Sequence, residues 1–152
     1  MTKSPNSRND PVLRREIAAI LRLKKRAASH GKRYVADIVE IGKRLSRNKD
    51  RVGHGYWLDW LHRYFRWSGD TAANYINVFE LSKTPEFRRL RNLPGEALYL
   101  LARRNVLPET RIAIAARVEA GEKVTARRSG FRLPTRRTID AKDSQPTQAR
   151  TK

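Results

Sequence analysis

The sequence predicts an all-α protein with a long N-terminal helix, a helix-turn-helix-like unit, an antiparallel helix pair and disordered basic ends. Over residues 11–48, apolar residues recur at the three- and four-residue spacing of one helix face. Within residues 56–82, two short apolar segments are separated by a tight turn. No segment shows the alternation of apolar and polar residues that is typical of a half-buried strand. Helices alone are therefore expected.

The chain carries a large positive charge. It contains 34 Lys and Arg against 15 Asp and Glu, which gives a net charge of +19 over 152 residues. A charge of this size predicts attraction to polyanions such as nucleic acids. There is no cysteine, which excludes disulfides and cysteine-based zinc sites. Since the sequence has neither an apolar run of about 20 residues nor a secretory signal, we expect a cytoplasmic protein without a membrane partner.

The two ends of the chain are its most basic parts. Residues 1–30 carry eight Lys and Arg against two acids, and residues 123–152 carry nine against two. We expect residues 1–10 and 123–152 to be disordered because neither segment has an apolar periodicity that would bury a core. The tail would act as a nonspecific arm, and Arg127 and Arg128 are predicted to contact phosphates.

A long basic helix is predicted for residues 11–48. Asp10 is a suitable N-cap, and Pro11 suits the first helical position. A continuous helix to about Ser46 would be roughly 50 Å long at 1.5 Å per residue. The apolar face continues through Gly31, but a helix of this length exceeds a typical globular helix, so two helices broken at Ser29-His30-Gly31 stay open as the alternative. The opposite face carries Arg14, Arg15, Arg22, Lys25, Arg26, Lys32, Arg33 and Arg44.

The helical core is predicted for residues 49–122, with a loop at Asn48–Gly55. It opens with the helix-turn-helix-like unit, in which two helices must cross and share a small apolar core. Ser68 is a suitable N-cap for the second helix. The crossing positions hold Leu61, Phe65, Trp67, Ala72 and Tyr75. An aromatic helical hairpin that serves only as core is the alternative interpretation.

The second helix of this unit would face a DNA groove. Thr71, Asn74 and Asn77 are the predicted contacts to base edges, since hydroxyl and amide groups pair there and Asn suits adenine. The segment Asp70–Ser82 contains no Lys or Arg, and Arg66 occupies the turn position where glycine is usual. Phosphate contacts are therefore predicted from flanking residues, namely Arg63, Arg66, Lys83, Arg88 and Arg89.

Two further helices are predicted to form an antiparallel pair. The first follows Pro94 and covers residues 95–104, and the second follows Pro108 and covers residues 110–120. Gly121 is a plausible end for the second helix. The predicted inward residues are Leu98, Leu101 and Ala102 in the first helix and Ile112, Ala115, Ala116 and Val118 in the second.

No catalytic or cofactor site is predicted. The three histidines, His30, His54 and His62, include no pair at the i, i+4 spacing of a helical metal site. The acids are scattered, which leaves no acid–base pair to nominate, and there is no glycine-rich phosphate loop. We therefore expect no enzymatic activity, metal, cofactor or small-molecule substrate.

Four short motifs lie in and around the core. They are I-G-x-x-L at Ile41–Leu45, His54-Gly55 at the end of a loop, W-S-x-x-T-A-x-x-Y at Trp67–Tyr75, and LPGEALYLLA at Leu93–Ala102. Over about residues 35–122 the chain thereby resembles an uncharacterised family of all-helical proteins borne by phages, plasmids and bacterial chromosomes. The resemblance implies a unit similar to the helix-turn-helix of partition (ParB-like) DNA-binding proteins, and it implies no particular activity.

The leading hypothesis is DNA binding without catalysis, in a regulatory or mobile-element setting and on the nucleoid. Duplex DNA is the expected partner. RNA or ribosome association is an alternative, because composition does not separate RNA from DNA. A protein-interaction module is another alternative, since the apolar face of the first helix could pair two copies in a homodimer.

Overall fold

The computed structural model describes residues 10–28 and 34–124. Within these ranges the chain forms seven α-helices and a 3-10 turn and contains no strand, which confirms the all-α class. The elements are α1 (Pro11–Ala28), α2 (Tyr34–Val52), the 3-10 turn (His54–Tyr56), α3 (Trp57–Phe65), α4 (Gly69–Ser82), α5 (Phe87–Leu90), α6 (Gly95–Leu101) and α7 (Pro108–Glu119). The predicted disordered ends lie outside the described residues except at Asp10 and residues 123–124, and so does Ser29-His30-Gly31.

The single long helix predicted for residues 11–48 is wrong, because the structure has two helices that lie side by side. The ion pairs between α1 and α2 join the start of each helix to the end of the other. Asp10, before α1, pairs with Arg51 near the end of α2 at 3.0 Å, and Arg26 near the end of α1 pairs with Asp37 in the first turn of α2. The two helices therefore form an antiparallel hairpin.

α2 extends further than the sequence predicts. Residues 48–52, predicted as part of a loop, form its last turn. The Asn48 amide donates to the Arg44 carbonyl (2.7 Å) and to the Glu16 carboxylate of α1 (3.1 Å), which holds this turn against α1. Gly53 follows with a φ of 88°, a conformation that glycine adopts without steric cost, and the chain then turns into α3.

α4 crosses α2 at a glycine. A Cβ atom added at Gly42 would lie 2.0 Å from the Tyr75 carbonyl oxygen and 2.8 Å from the Phe79 Cβ atom. The two helices can approach this closely only because Gly42 has no side chain. Gly42 and Tyr75 belong to two separate motifs of the resemblance, and this crossing brings those motifs together.

A first apolar cluster joins α1, α2, α3 and the start of α4. It contains a row of aromatic contacts in which Trp57 stacks on Trp60, Trp60 meets Phe65 edge-on, and Phe65 stacks on Trp67. Aromatic pairs in these geometries stabilise a core beyond the area that they bury. The aromatic residues from Trp57 to Trp67 therefore pack in one cluster with the buried side of the α1–α2 hairpin.

A second apolar cluster joins α2 and α4 to α5, α6 and α7. It corrects the predicted helix pair, because α6 packs mainly on α4 and α7 mainly on α5. In α7, Ile114 is buried, whereas Ile112 and Ala116, predicted to point inward, are exposed. Val124, predicted to belong to the tail, is buried in this cluster.

Candidate nucleic-acid interface

The turn between α3 and α4 is built by a non-glycine residue in a conformation that glycine usually supplies. Arg66 has φ 59° and ψ 33°, which is left-handed, and its N–H donates to the His62 carbonyl at 3.1 Å. This conformation costs about 1–2 kcal/mol for a residue with a side chain. The Arg66 side chain is exposed. The residue that closes α3 therefore also places a positive charge at the corner of the unit.

α4 begins at the predicted cap. The Ser68 hydroxyl accepts a hydrogen bond from the Thr71 N–H at 3.2 Å, which satisfies one of the free donors of the first turn. Trp67, in the turn, stacks on Tyr75 with 5.0 Å between ring centroids, and Ala72 is fully buried. The order of helix, three-residue turn and helix is the order that a helix-turn-helix requires.

The three predicted base-contact residues, Thr71, Asn74 and Asn77, are all half-buried. The Thr71 hydroxyl lies 3.1 Å from the Ser68 hydroxyl, within the cap of the helix. Asn77 lines a surface groove that is also lined by Arg104 of the α6–α7 connection. The structure therefore places the three residues on one helix but does not present them together on its outermost side.

The most exposed side of α4 is acidic. Its exposed residues are Asp70, Ala73 and Glu80. Two of these are acids and none is basic, so this strip repels phosphate groups unless neighbouring cations compensate. Lys83 provides such compensation at one end, because its ammonium lies 2.8 Å from the Glu80 carboxylate. α4 therefore depends on other elements for any contact with a polyanion.

The predicted phosphate-contact residues fall into two groups. Arg63 and Arg66 are exposed beside the start of α4, and Lys83, Arg88 and Arg89 are exposed beyond its end. Arg89 is also 3.3 Å from the Glu119 carboxylate. The 14 residues of α4 separate the two groups by roughly 20 Å along the helix axis. Arg127 and Arg128 lie outside the described residues.

α1 contributes a basic surface that the predicted set of contacts leaves out. The Lys24 ammonium lies 5.3 Å from the centroid of the Trp67 ring, over the α3–α4 turn. This contact brings the second half of α1 beside Arg66, whose side chain is exposed at the same turn. The basic face of α1 is visible in the sequence, whereas the contact of Lys24 with the turn follows from the hairpin, which the sequence does not specify.

Three tyrosines fix the opposite side of α4. Burial raises the pKa of Tyr99, on α6, far above its usual value, and burial also raises the pKa of Tyr75 on α4. The rings of Tyr99 and Tyr75 meet edge-on with 6.0 Å between centroids, and Tyr34 at the start of α2 packs against the same cluster. The three side chains thus link α2, α4 and α6, and they hold α4 from the side that faces away from solvent.

Two kinds of feature are absent from the part of the chain that the structure describes. None of the helices in residues 10–28 and 34–124 is long and apolar enough to span a membrane. In these residues there is also no group of three or more His, Asp or Glu side chains arranged to hold a metal ion.

Comparison with known proteins gives one match. No curated protein and no solved structure matches the chain. A protein-family profile matches residues 12–89, which is more than half of the chain. The match includes α1, which the resemblance over residues 35–122 leaves out, and it ends before Leu93–Ala102, which the resemblance includes. The chain belongs to this family, which is described as a protein of unknown function (DUF3102).

Proposed function

We propose that the chain is a non-enzymatic DNA-binding protein whose helix-turn-helix-like unit, of the ParB-like type, is placed on duplex DNA by surrounding cations. The observation that carries the proposal is the α3–α4 turn. Arg66 is exposed at the turn, Arg63 is exposed one helical turn earlier, and Lys24 of α1 covers the turn from the other side. A regulatory or organising role on chromosomal or mobile-element DNA is part of the proposal.

The acidic strip of α4 limits how such a protein would read sequence. Asp70 and Glu80 flank the exposed side of the helix, so deep insertion into a groove would bring two carboxylates towards phosphates. Asn77 is the base-contact candidate that opens towards a cation, since it shares a groove with Arg104. We therefore expect strong binding to the backbone and modest discrimination between sequences.

The test is a fluorescence-anisotropy titration of a labelled duplex at several salt concentrations. We expect the logarithm of affinity to fall linearly with the logarithm of salt concentration, because bound cations are released from the duplex. The variant Arg63→Ala/Arg66→Gly should weaken binding more than Arg91→Ala/Arg103→Ala, which removes the same charge from two exposed connections before and after α6. An absence of duplex affinity at low salt would contradict the proposal.

The two alternatives are separated by further measurements. Competition between duplex DNA and duplex RNA tests the RNA or ribosome alternative. The homodimer alternative relied on the apolar face of the first helix, but Leu13 and Ile20 are fully buried within one chain. Most of that face is therefore already covered, with Leu21 left 41% exposed, and sedimentation at micromolar concentration is expected to show a monomer.

A further inference from the structure

The outward side of α1 is a continuous basic surface. Arg14, Ala18, Arg22 and Lys25 follow one another at spacings of four, four and three residues, which places them on one side of the helix. All four are exposed, and so is the adjacent Arg15. The surface thus carries four cations around a single small residue, and its length from Arg14 to Lys25 is about 16 Å at 1.5 Å per residue.

The acids next to this surface point away from it. Glu16 is the only acid within α1, and its carboxylate lies 3.0 Å from Arg44 and 3.1 Å from the Asn48 amide, both on α2. Asp10, before the helix, pairs with Arg51. Glu40 of α2 lines a groove with Arg22, and its carboxylate lies 3.0 Å from Arg44. All three carboxylates are therefore paired inside the hairpin.

Three basic side chains of this outer surface are not paired with an acid. Within residues 10–28 and 34–124, Arg15, Arg22 and Lys25 form no salt bridge. These three side chains are thus not neutralised by neighbouring acids, and their positive charge is directed into solvent.

The chemistry of the surface favours a rod-like polyanion over a membrane. A helix that lies on a lipid surface must offer an apolar face to the acyl chains. Most of the apolar face of α1 is already used, since Leu13, Ile17 and Ile20 are at most 9% exposed in the first cluster. Val12 and Leu21, 40% and 41% exposed and nine residues apart, do not form an apolar face by themselves. A duplex needs no apolar contact, and about 16 Å of it presents roughly nine phosphate charges at one charge per 1.7 Å.

We propose that α1 is the main phosphate-binding element of the protein, with its outer surface lying along the backbone of duplex DNA. The inference rests on the DNA-binding function proposed above and assigns that function to a helix outside the helix-turn-helix-like unit. Lys24 is not part of this outer surface, because it follows the buried Ile20 by four residues and contacts the Trp67 ring on the core-facing side of α1. In this arrangement the outer surface of α1 holds the duplex independently of the turn.

The absence of cysteine in the chain allows a direct map of the surface that faces DNA. Ala18 on α1, Ala73 on α4 and Ala113 on α7 are all exposed, so the single variants Ala18→Cys, Ala73→Cys and Ala113→Cys place one thiol on each of three surfaces. The rate of maleimide labelling is measured for each variant with and without a saturating duplex of about two helical turns. We expect the duplex to slow labelling several-fold in Ala18→Cys and to leave Ala113→Cys unchanged.

A pair of double variants supplies a second readout. Arg22→Ala/Lys25→Ala removes two charges from the α1 surface, and Arg91→Ala/Arg103→Ala removes two from exposed connections before and after α6. If Arg22 and Lys25 each neutralise one phosphate, the slope of log affinity against log salt becomes shallower by about 1.8 in the α1 variant. The matched variant should change the slope much less.

Each outcome has a separate meaning. Protection of Ala73→Cys without protection of Ala18→Cys overturns this inference and leaves the proposed function standing. Equal slope changes in the two double variants also overturn it, because binding would then depend on total charge. If the wild-type protein binds no duplex, both proposals are overturned. If duplex RNA slows the labelling of Ala18→Cys more than duplex DNA does, the choice of DNA is overturned.

Discussion

Gly42 is the residue at which a single added carbon would disturb the fold most. A Cβ atom there would lie 2.0 Å from the backbone oxygen of Tyr75. Backbone atoms have no rotamer by which to move aside, so α2 and α4 would have to separate. We expect Gly42→Ala to lower the free energy of unfolding by about 2–3 kcal/mol, measured by urea denaturation with tryptophan fluorescence.

Gly55→Ala is the matched control for this substitution. Gly55 has no positive φ, and no atom lies within 4 Å of a Cβ added there. The control should change the free energy of unfolding by less than about 0.5 kcal/mol. Similar decreases in the two variants would show that α2 and α4 do not touch at Gly42.

Arg66 should give opposite signs for stability and for DNA binding. Its φ of 59° strains a residue with a side chain, and glycine removes that strain. We expect Arg66→Gly to raise the free energy of unfolding by about 1 kcal/mol and to weaken duplex binding, because the variant lacks the exposed charge at the turn. Urea denaturation and anisotropy on the same preparation measure both. Weaker binding with lower stability would mean that the charge is not the cause.

At the scale of helices, the sequence predicts the secondary structure of each segment more accurately than it predicts how the helices pack together. The cap at Ser68 and the turn before it depend on neighbouring residues, and the structure has α4 beginning at Gly69 as expected. The α1–α2 hairpin depends on contacts between residues far apart in the chain, such as Glu16 with Arg44. Because α1 and α2 both bury their apolar faces in one core, the sequence shows the same apolar pattern for a hairpin as for a single long helix.

The candidate site shows the same division. The exposed charges at Arg63 and Arg66 follow from composition and helical spacing, and both are found exposed. The half-burial of Asn74 does not follow, because it depends on how α4 packs against the other helices. A helix that packs against neighbours on two sides exposes fewer of its residues than an amphipathic pattern alone suggests.

The tyrosines that link α2, α4 and α6 make stability depend on alkaline pH. Burial raises the pKa of Tyr99 above its usual value, so above about pH 10 the unfolded chain loses this proton while the folded chain keeps it. The unfolded state then binds fewer protons, and stability falls as pH rises. Below about pH 10 both states are protonated, and the contribution is fully present.

Urea denaturation across the alkaline range, from about pH 8 to about pH 11, checks this expectation. Tyr99→Phe removes the ionisable group, so its stability should fall less steeply above about pH 10 than that of the wild type. Tyr56→Phe, at an exposed tyrosine, is the control and should retain the wild-type slope. A wild-type slope in Tyr99→Phe would place the alkaline sensitivity elsewhere in the protein.

At the scale of the whole molecule, positive charge is divided between the residues that the structure describes and the C-terminal tail. Residues 125–152 contain eight Lys and Arg against two acids. Deleting them leaves Val124, which is buried in the second cluster, in place. We expect the deletion to weaken duplex binding and to make its salt dependence shallower, by about 0.9 for each phosphate that the tail neutralises.

Combining this deletion with Arg22→Ala/Lys25→Ala shows whether the tail and α1 touch the same phosphates. Each neutralised phosphate releases its counterions independently, so separate sets of phosphates should give slope changes that add. Slope changes that fail to add would mean that the tail and α1 compete for one stretch of backbone. A deletion that leaves the salt slope unchanged would remove the tail from the interface and leave α1 and the α3–α4 turn as the basic surfaces that hold DNA.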